Sequence, residues 1–156
     1  MAALTHPNIV QVYDFDREGD SYFMVMEYIE GPTLKGYMET LHSQSQRLPM
    51  GKAIRIAQKI GEALAYAHEQ GMIHRDVKPA NVMIGKGGRV VLTDFGIAKL
   101  VAGPQHTATG TMMGTPAYMA PEIARGDHGD ARADIYSLGV MLYELATGKL
   151  PYEGDT

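Results

Sequence analysis

The feature that most constrains this chain is a pair of polar motifs on either side of a short predicted hairpin. Residues 74–81 read His-Arg-Asp-Val-Lys-Pro-Ala-Asn, and residues 94–96 read Asp-Phe-Gly. Between them, the apolar runs 82–84 and 90–93 flank the glycine-rich residues 85–88, a pattern typical of two strands joined by a tight turn. Because a hairpin returns the chain to its starting point, the end of the first motif and the start of the second are predicted to lie side by side.

A second hairpin is predicted near the N-terminus. Residues alternate over Ile9–Asp14, which favours a strand, and the aromatic- and methionine-rich stretch Ser21–Tyr28 follows the turn pair Gly19–Asp20. Gly31–Pro32 then ends the second strand, since proline cannot donate to a strand ladder.

Helical periodicity predicts three helices, over residues 34–41, 52–70 and 134–147. Gly71 and Gly148 are placed to end the second and third helices, and Asp134 is placed to cap the third. The third helix is apolar around nearly its whole circumference, which predicts burial on every side. The predicted inner stripe of the second helix consists of Ile54, Ala57, Gly61, Leu64, Ala65 and His68.

Composition excludes several classes of protein. The 156 residues carry a net charge of −4, 45% are hydrophobic and none is cysteine, so disulfides and thiolate metal sites are excluded. No basic stripe of the kind that binds nucleic acid is visible, and no apolar run reaches the roughly 18–20 residues that cross a membrane. A cytoplasmic location is predicted, although a parent protein could carry a membrane anchor in another segment.

A third motif makes the pattern specific. Residues 120–122 read Ala-Pro-Glu, and the three motifs in this order resemble the catalytic loop, metal-binding motif and substrate-loop anchor of eukaryotic-type (Hanks-type) Ser/Thr protein kinases of bacterial-like style. The resemblance covers essentially the whole chain. It implies an α+β, protein-kinase-like fold, with a mostly helical C-terminal lobe and the last strands of the N-terminal lobe.

The resemblance also divides the chain. Residues 1–26 match the end of the N-terminal lobe, 27–31 the hinge and 32–156 part of the C-terminal lobe. The Gly-rich phosphate loop and the Val-Ala-Ile-Lys strand are expected before residue 1, so the resemblance implies a catalytic domain truncated at both ends. On that expectation the chain alone should bind ATP poorly, transfer no phosphate and expose an apolar patch.

The resemblance assigns roles to four polar residues. Phosphoryl transfer needs an aligned acceptor hydroxyl and positive charge on the phosphate oxygens. In the family, the residue matching Asp76 orients the hydroxyl and accepts its proton, and the residue matching Lys78 places an ammonium on the γ-phosphate. Asn81 and Asp94 match ligands of Mg²⁺, which prefers hard oxygen donors. ATP and Mg²⁺ are therefore the expected cofactors.

The adenine of ATP is expected at the hinge. Backbone groups of Glu27 and Ile29 match those that hydrogen-bond the base. Met26 matches the bulky gatekeeper behind it, and Met83 matches the residue that contacts it from below. Core packing explains both methionines equally well.

Four residues match supporting positions. His74 is expected to stack with Phe95 in the core rather than to bind a ligand. Asp134 is expected to brace the catalytic loop through backbone N–H groups, and Glu122 matches the partner of an arginine expected after residue 151.

The stretch 98–119 lacks periodicity and is rich in Gly, Thr and Pro, which predicts a long functional loop. In the family, the positions of Thr107 and Thr109 match the phosphorylated pair of bacterial members, and Arg75 matches the arginine that binds the added phosphate. Thr115 matches a threonine that hydrogen-bonds the catalytic Asp and Lys, so that Thr115 and Lys78 favour Ser/Thr as acceptor. Autophosphorylation within a homodimer is one interpretation, and a merely polar loop is the other.

Two classes of function follow. The first is an ATP-dependent Ser/Thr protein kinase that acts on protein substrates, and the second is a non-catalytic, pseudokinase-like binding module. The intact set Asp76, Lys78, Asn81 and Asp94 favours the enzyme, because a binding module needs no base and no metal ligands. A small-molecule phosphotransferase shares part of this set but is expected to lack the Ala-Pro-Glu motif.

Overall fold

The computed structural model describes residues 4–19, 21–95, 116–127 and 129–152. Single turns of 3₁₀ helix occur at Pro79–Asn81, Lys86–Gly88 and Pro116–Tyr118. The strands are β1 Val12–Glu18, β2 Ser21–Met26, β3 Val82–Ile84 and β4 Val90–Leu92, and the α-helices are α1 Leu34–Ser43, α2 Met50–Glu69, α3 Pro121–Ala124 and α4 Ala131–Thr147. Each strand pair, β1–β2 and β3–β4, forms an antiparallel hairpin, as the sequence predicts.

The first predicted strand is misplaced at its start. β1 begins at Val12, whereas Ile9 forms a parallel bridge with Leu92 of β4. The Leu92 N–H donates to the Asn8 carbonyl at 2.8 Å, and the Val10 N–H donates to the Leu92 carbonyl at 3.0 Å. Residues 8–10 therefore extend the β3–β4 hairpin, a partner that local alternation cannot reveal.

The inner face of α2 also differs from the predicted stripe. Ala57 and Leu64 are buried as expected, but Ile54 is 54% exposed and Ala65 is exposed. The buried positions of this helix are Ala53, Ile56, Ala57, Ile60, Ala63, Leu64 and Ala67. Five of the seven were not predicted and lie one residue before a predicted position, and three of these five are alanines, which mark an inner face only weakly.

Helix α4 begins three residues earlier than predicted, and its N-cap is not Asp134. Asp130 is the cap, and its carboxylate accepts the Arg132 N–H at 2.9 Å. Gly148 ends the helix with φ 76°, as predicted for a left-handed cap. Burial on every side is not observed, because Ile135 is 56% exposed and Tyr143 is 48% exposed.

The main core lies between α2, α4 and the β3–β4 hairpin. Its fully buried members include Ile60 and Leu64 of α2, Met141 of α4 and Leu92 of β4. This packing holds the β3–β4 hairpin against the helices, and both polar motifs lie at its open end. Among the described residues, no helix is both long enough and apolar enough to span a membrane.

Candidate active site

The β3–β4 hairpin brings the two polar motifs together as predicted. Val82 pairs with Leu92, so Asn81 and Thr93 are the next residues beyond the ladder. The Thr93 N–H donates to the Asn81 carbonyl at 2.9 Å, and the Thr93 hydroxyl donates to the same carbonyl at 3.2 Å. These two bonds extend the pairing of the hairpin by one residue. Asp94 directly follows the paired Thr93.

Three polar side chains meet at the catalytic-loop motif. The Lys78 ammonium donates to Asp76 Oδ2 at 2.8 Å. Asn81 Nδ2 donates to the same carboxylate oxygen at 3.0 Å and to the Asp76 carbonyl at 2.8 Å. Because both bonds come from the amide nitrogen, the amide oxygen is the atom that Asn81 can offer to a cation.

Asp94 lies at the exposed end of this cluster, and its backbone is strained. Its φ is 58°, a left-handed conformation that costs a non-glycine residue roughly 1–2 kcal/mol. Asp94 Oδ2 lies 3.3 Å from the Thr93 hydroxyl, whose single proton is shared between this oxygen and the Asn81 carbonyl. Backbone strain of this kind tends to occur where a side chain must be aimed at a ligand.

The donor set fits a magnesium ion. Asn81 offers an amide oxygen and Asp94 offers a carboxylate, both hard oxygen donors on the same end of the hairpin. Within the described ranges, no group of three or more His, Cys, Asp or Glu side chains is placed to bind a metal. A two-ligand site of this kind suits Mg²⁺, which commonly keeps water and phosphate oxygens in its shell.

Asp134 braces the catalytic loop from α4. Only 1% of its surface is exposed. Its Oδ2 accepts the His74 N–H at 2.9 Å, and its Oδ1 accepts the Arg75 N–H at 2.7 Å. Arg75 has φ 67°, so the carboxylate holds a strained residue directly before Asp76.

His68 completes the surroundings of this carboxylate. Its Nε2 lies 2.7 Å from Asp134 Oδ2. The sequence placed His68 on the inner face of its helix but gave it no polar partner, because no local pattern connects positions that are 66 residues apart. The contact ties α2 to α4 beneath the loop.

His74 is a buried, neutral part of the core. Its ring lies 4.6 Å from that of Phe95, centroid to centroid, which places the two residues together as predicted. The Asp76 N–H donates to His74 Nδ1 at 3.2 Å, so Nε2 carries the proton and donates to the Thr93 carbonyl at 2.8 Å. Burial lowers the pKa of His74, and this effect exceeds the opposing influence of the Thr93 carbonyl and of Asp134.

The predicted hinge residues lie in a small cluster of their own. Ile29 and Met83 pack with Val10 and Val91, whereas the Met26 side chain is 37% exposed. These contacts place the predicted adenine-contacting residues Ile29 and Met83 side by side.

The backbone of this segment is fixed at two points. The Glu27 N–H donates to the Gln11 carbonyl at 2.8 Å, so this N–H is not available to a base. A Cβ at Gly31 would lie 2.0 Å from the Ile84 carbonyl oxygen, which requires glycine at this close approach. The chain after β2 is therefore held against β3.

The Ala-Pro-Glu segment is anchored on α4 through Tyr118. The Tyr118 hydroxyl donates to Glu144 at 2.5 Å, and the Ser137 hydroxyl donates to the Tyr118 carbonyl at 2.7 Å. Burial, and then the Glu144 carboxylate, raise the pKa of Tyr118. Glu122 lies half-buried in the first turn of α3. Three threonines named from the sequence, Thr107, Thr109 and Thr115, lie outside the residues that the structure describes.

The hairpin holds a carboxylate, an ammonium and an amide group together, and a buried aspartate lies beneath the loop that carries them. The family model described as the protein kinase domain matches residues 1–156, and the chain belongs to this family. The predicted α+β, kinase-like fold is confirmed.

Curated relatives are bacterial serine/threonine-protein kinases. The chain is 41% identical over 155 residues to serine/threonine-protein kinase PrkC of Bacillus subtilis. This match covers 99% of the chain and 23% of the relative. It is 45% identical over 161 residues to serine/threonine-protein kinase PknB of Mycobacterium tuberculosis, covering 99% of this chain and 25% of the relative. The chain thus spans about a quarter of the length of these proteins.

A solved structure has the same fold. The kinase domain of Mycobacterium tuberculosis PknI, crystallised as a mutant, superposes with a TM-score of 0.78 at 33% sequence identity. The match covers 96% of this chain and 53% of that kinase domain. The predicted resemblance to bacterial Hanks-type Ser/Thr kinases is therefore confirmed.

Proposed function

We propose that the protein is an ATP-dependent serine/threonine protein kinase that transfers the γ-phosphoryl group of ATP to hydroxyl groups of protein substrates. The observation that carries the proposal is the cluster in which Lys78 and Asn81 both donate to one oxygen of Asp76. An ion pair that only stabilises the fold does not need a third group such as Asn81. Phosphoryl transfer needs a proton acceptor, a cation and a metal ligand within one small volume.

In this proposal each group acts on a different part of the reaction. The Asp76 carboxylate orients the substrate hydroxyl and accepts its proton as the new oxygen–phosphorus bond forms and ADP leaves. The Lys78 ammonium moves from Asp76 to the γ-phosphate oxygens when substrate binds. Asn81 and Asp94 are the residues that would hold Mg²⁺, which would supply positive charge to the phosphate oxygens.

The adenine is placed at the hinge by backbone groups. The Glu27 N–H is already used by Gln11, so Glu27 contributes its carbonyl oxygen and Ile29 contributes the second contact. Met83 packs against one face of the base, next to Ile29. Phosphorylation of Thr107 and Thr109, a homodimer that carries it out, a cytoplasmic location and a membrane anchor elsewhere stay predictions.

The test measures transfer and binding separately in the full-length protein. Radiolabelled ATP and a generic basic protein report transfer, and calorimetry reports binding of Mg²⁺-ATP. Asp76→Asn is expected to lower kcat about 100-fold or more with ATP affinity nearly unchanged, because it removes the proton acceptor. Asp94→Asn is expected to weaken Mg²⁺-ATP binding.

Asp127→Asn is the matched control, since Asp127 is exposed and lies outside the cluster. Transfer that survives Asp76→Asn at the wild-type rate contradicts the proposal. Binding of Mg²⁺-ATP without any transfer by the wild-type protein favours the non-catalytic binding module instead.

A further inference from the structure

Arg89, at the turn that leads into β4, connects three separate segments of the chain. Its guanidinium donates through Nη1 to Glu27 Oε1 and through Nη2 to Glu27 Oε2, the latter at 3.2 Å. Its Nε donates to the Pro7 carbonyl at 3.2 Å. These partners are 62 and 82 residues away in sequence, so one side chain fixes the hinge and the segment before β1 to the β3–β4 hairpin.

The geometry suits a planar guanidinium. A bidentate contact with a carboxylate fixes direction as well as distance, which a lysine ammonium cannot do. Mutual hydrogen bonding lowers the pKa of Glu27 and raises the pKa of Arg89. Both groups are therefore charged throughout the neutral range, and the contact persists there.

Glu27 is held at both its backbone and its side chain. The Gln11 carbonyl accepts its N–H at 2.8 Å, and Arg89 holds its carboxylate. The backbone carbonyl of the same residue is the group that the proposed function assigns to adenine. A change at Arg89 therefore changes how well that carbonyl is placed.

The second contact of Arg89 reinforces the same segment. Pro7 directly precedes Asn8, whose carbonyl accepts the Leu92 N–H at 2.8 Å and whose side chain donates to the Val90 carbonyl at 2.8 Å. Arg89 thus adds a second connection between β4 and the segment of residues 8–10, which already pairs with β4.

We propose that Arg89 is a positioning residue for nucleotide binding, which sets the place of the Glu27 carbonyl and so the affinity for the adenine of ATP. The inference rests on the proposed function and deepens it. Arg89 lies outside the three motifs, and in this proposal it acts through Glu27 rather than by touching the nucleotide.

Stability and positioning can be separated. Ion pairs with solvent-exposed members add little to stability, and 41% of the Arg89 side chain is exposed. An Arg89→Gln variant is therefore expected to fold. It is expected to raise the KM for ATP and the Kd for adenosine by the same factor, about two- to fivefold, with kcat nearly unchanged.

The experiment compares variants of the full-length protein by steady-state kinetics and by calorimetry with adenosine. Lys86→Gln, which removes an exposed cation from the same turn, is the matched control and should leave both constants unchanged. Arg89→Lys should recover only part of the affinity, because an ammonium cannot make the bidentate contact. The exchange of both charges, Glu27→Arg with Arg89→Glu, should recover more affinity than either single change.

The readouts distinguish the possible failures. If wild-type protein transfers phosphate and binds adenosine while Arg89→Gln binds adenosine equally well, the inference is wrong and the proposed function stands. If wild-type protein binds neither ATP nor adenosine, both are overturned. A fall in kcat without a change in adenosine affinity also contradicts a role at the adenine site.

Discussion

Replacing Asp134 by alanine tests whether the catalytic loop is held by one buried carboxylate. The carboxylate accepts the N–H groups of His74 and Arg75 at 2.9 and 2.7 Å and lies 2.7 Å from His68 Nε2. With 1% of Asp134 exposed, water has little access to replace these contacts. Asp134→Ala therefore leaves two main-chain N–H groups without an acceptor.

The magnitude follows from those two groups. A buried donor that loses its acceptor costs about 1–3 kcal/mol, so the two N–H groups together give roughly 2–6 kcal/mol of lost unfolding free energy. A domain has a total of about 5–15 kcal/mol. Asp134→Ala should therefore remove a large share of the stability. Asp134→Asn keeps one acceptor oxygen and should have an intermediate effect.

Urea unfolding of the full-length protein measures the stability, and steady-state kinetics measures the loop. The matched control is Asp130→Ala, which removes the cap four positions earlier in the same helix, where the side chain is exposed. The control should be less destabilised and should keep its kcat. Asp134→Asn should lower kcat about 100-fold, because small misplacements of a reacting group cost that much. If Asp134→Ala is no less stable than Asp130→Ala and has normal kcat, Asp134 does not brace the catalytic loop.

Two further predictions concern the backbone and the pH dependence. Gly31→Ala should destabilise the protein, measured by thermal unfolding, because its Cβ would lie 2.0 Å from the Ile84 carbonyl oxygen, whereas Gly51→Ala, with nothing within 4 Å, should have little effect. The free energy of unfolding should fall as the pH drops below 6.5, because the unfolded chain binds a proton that buried His74 does not accept. The fall in unfolding free energy from pH 6.5 to 5, measured by urea unfolding, should be smaller in His74→Gln. An unchanged fall contradicts the assignment of this pH dependence to His74.

The part of the site that could be predicted is the part that is close in sequence. Asp76, Lys78 and Asn81 lie within six residues, and a short hairpin brings Asp94 to them. A tight turn with apolar strands on both sides is a local signal. The sequence therefore predicted this cluster without any knowledge of the rest of the fold.

The contacts that support the site depend on distant residues. Glu27 and Arg89 are 62 residues apart, and neither has a local pattern that distinguishes it from a solvated surface charge. The sequence placed Asp134 at the cap of its helix, but Asp130 takes that position. Asp134 instead contacts His74 and Arg75, about 60 residues away in sequence, which no local pattern indicates.

Two strained residues show how the support and the chemistry are related. Arg75 has φ 67° and Asp94 has φ 58°. The first left-handed residue directly precedes Asp76, before β3. The second is itself the proposed metal ligand, after β4. Such conformations cost of order 1–3 kcal/mol each and persist only when neighbouring contacts impose them. Asp134 imposes the first through the Arg75 N–H. Loss of Asp134 therefore also releases strain at Arg75, so the measured fall in stability should lie in the lower part of the range given above. The fall in kcat should have no such compensation, because Arg75 directly precedes Asp76 and a change in its backbone is expected to shift the carboxylate relative to Lys78 and Asn81.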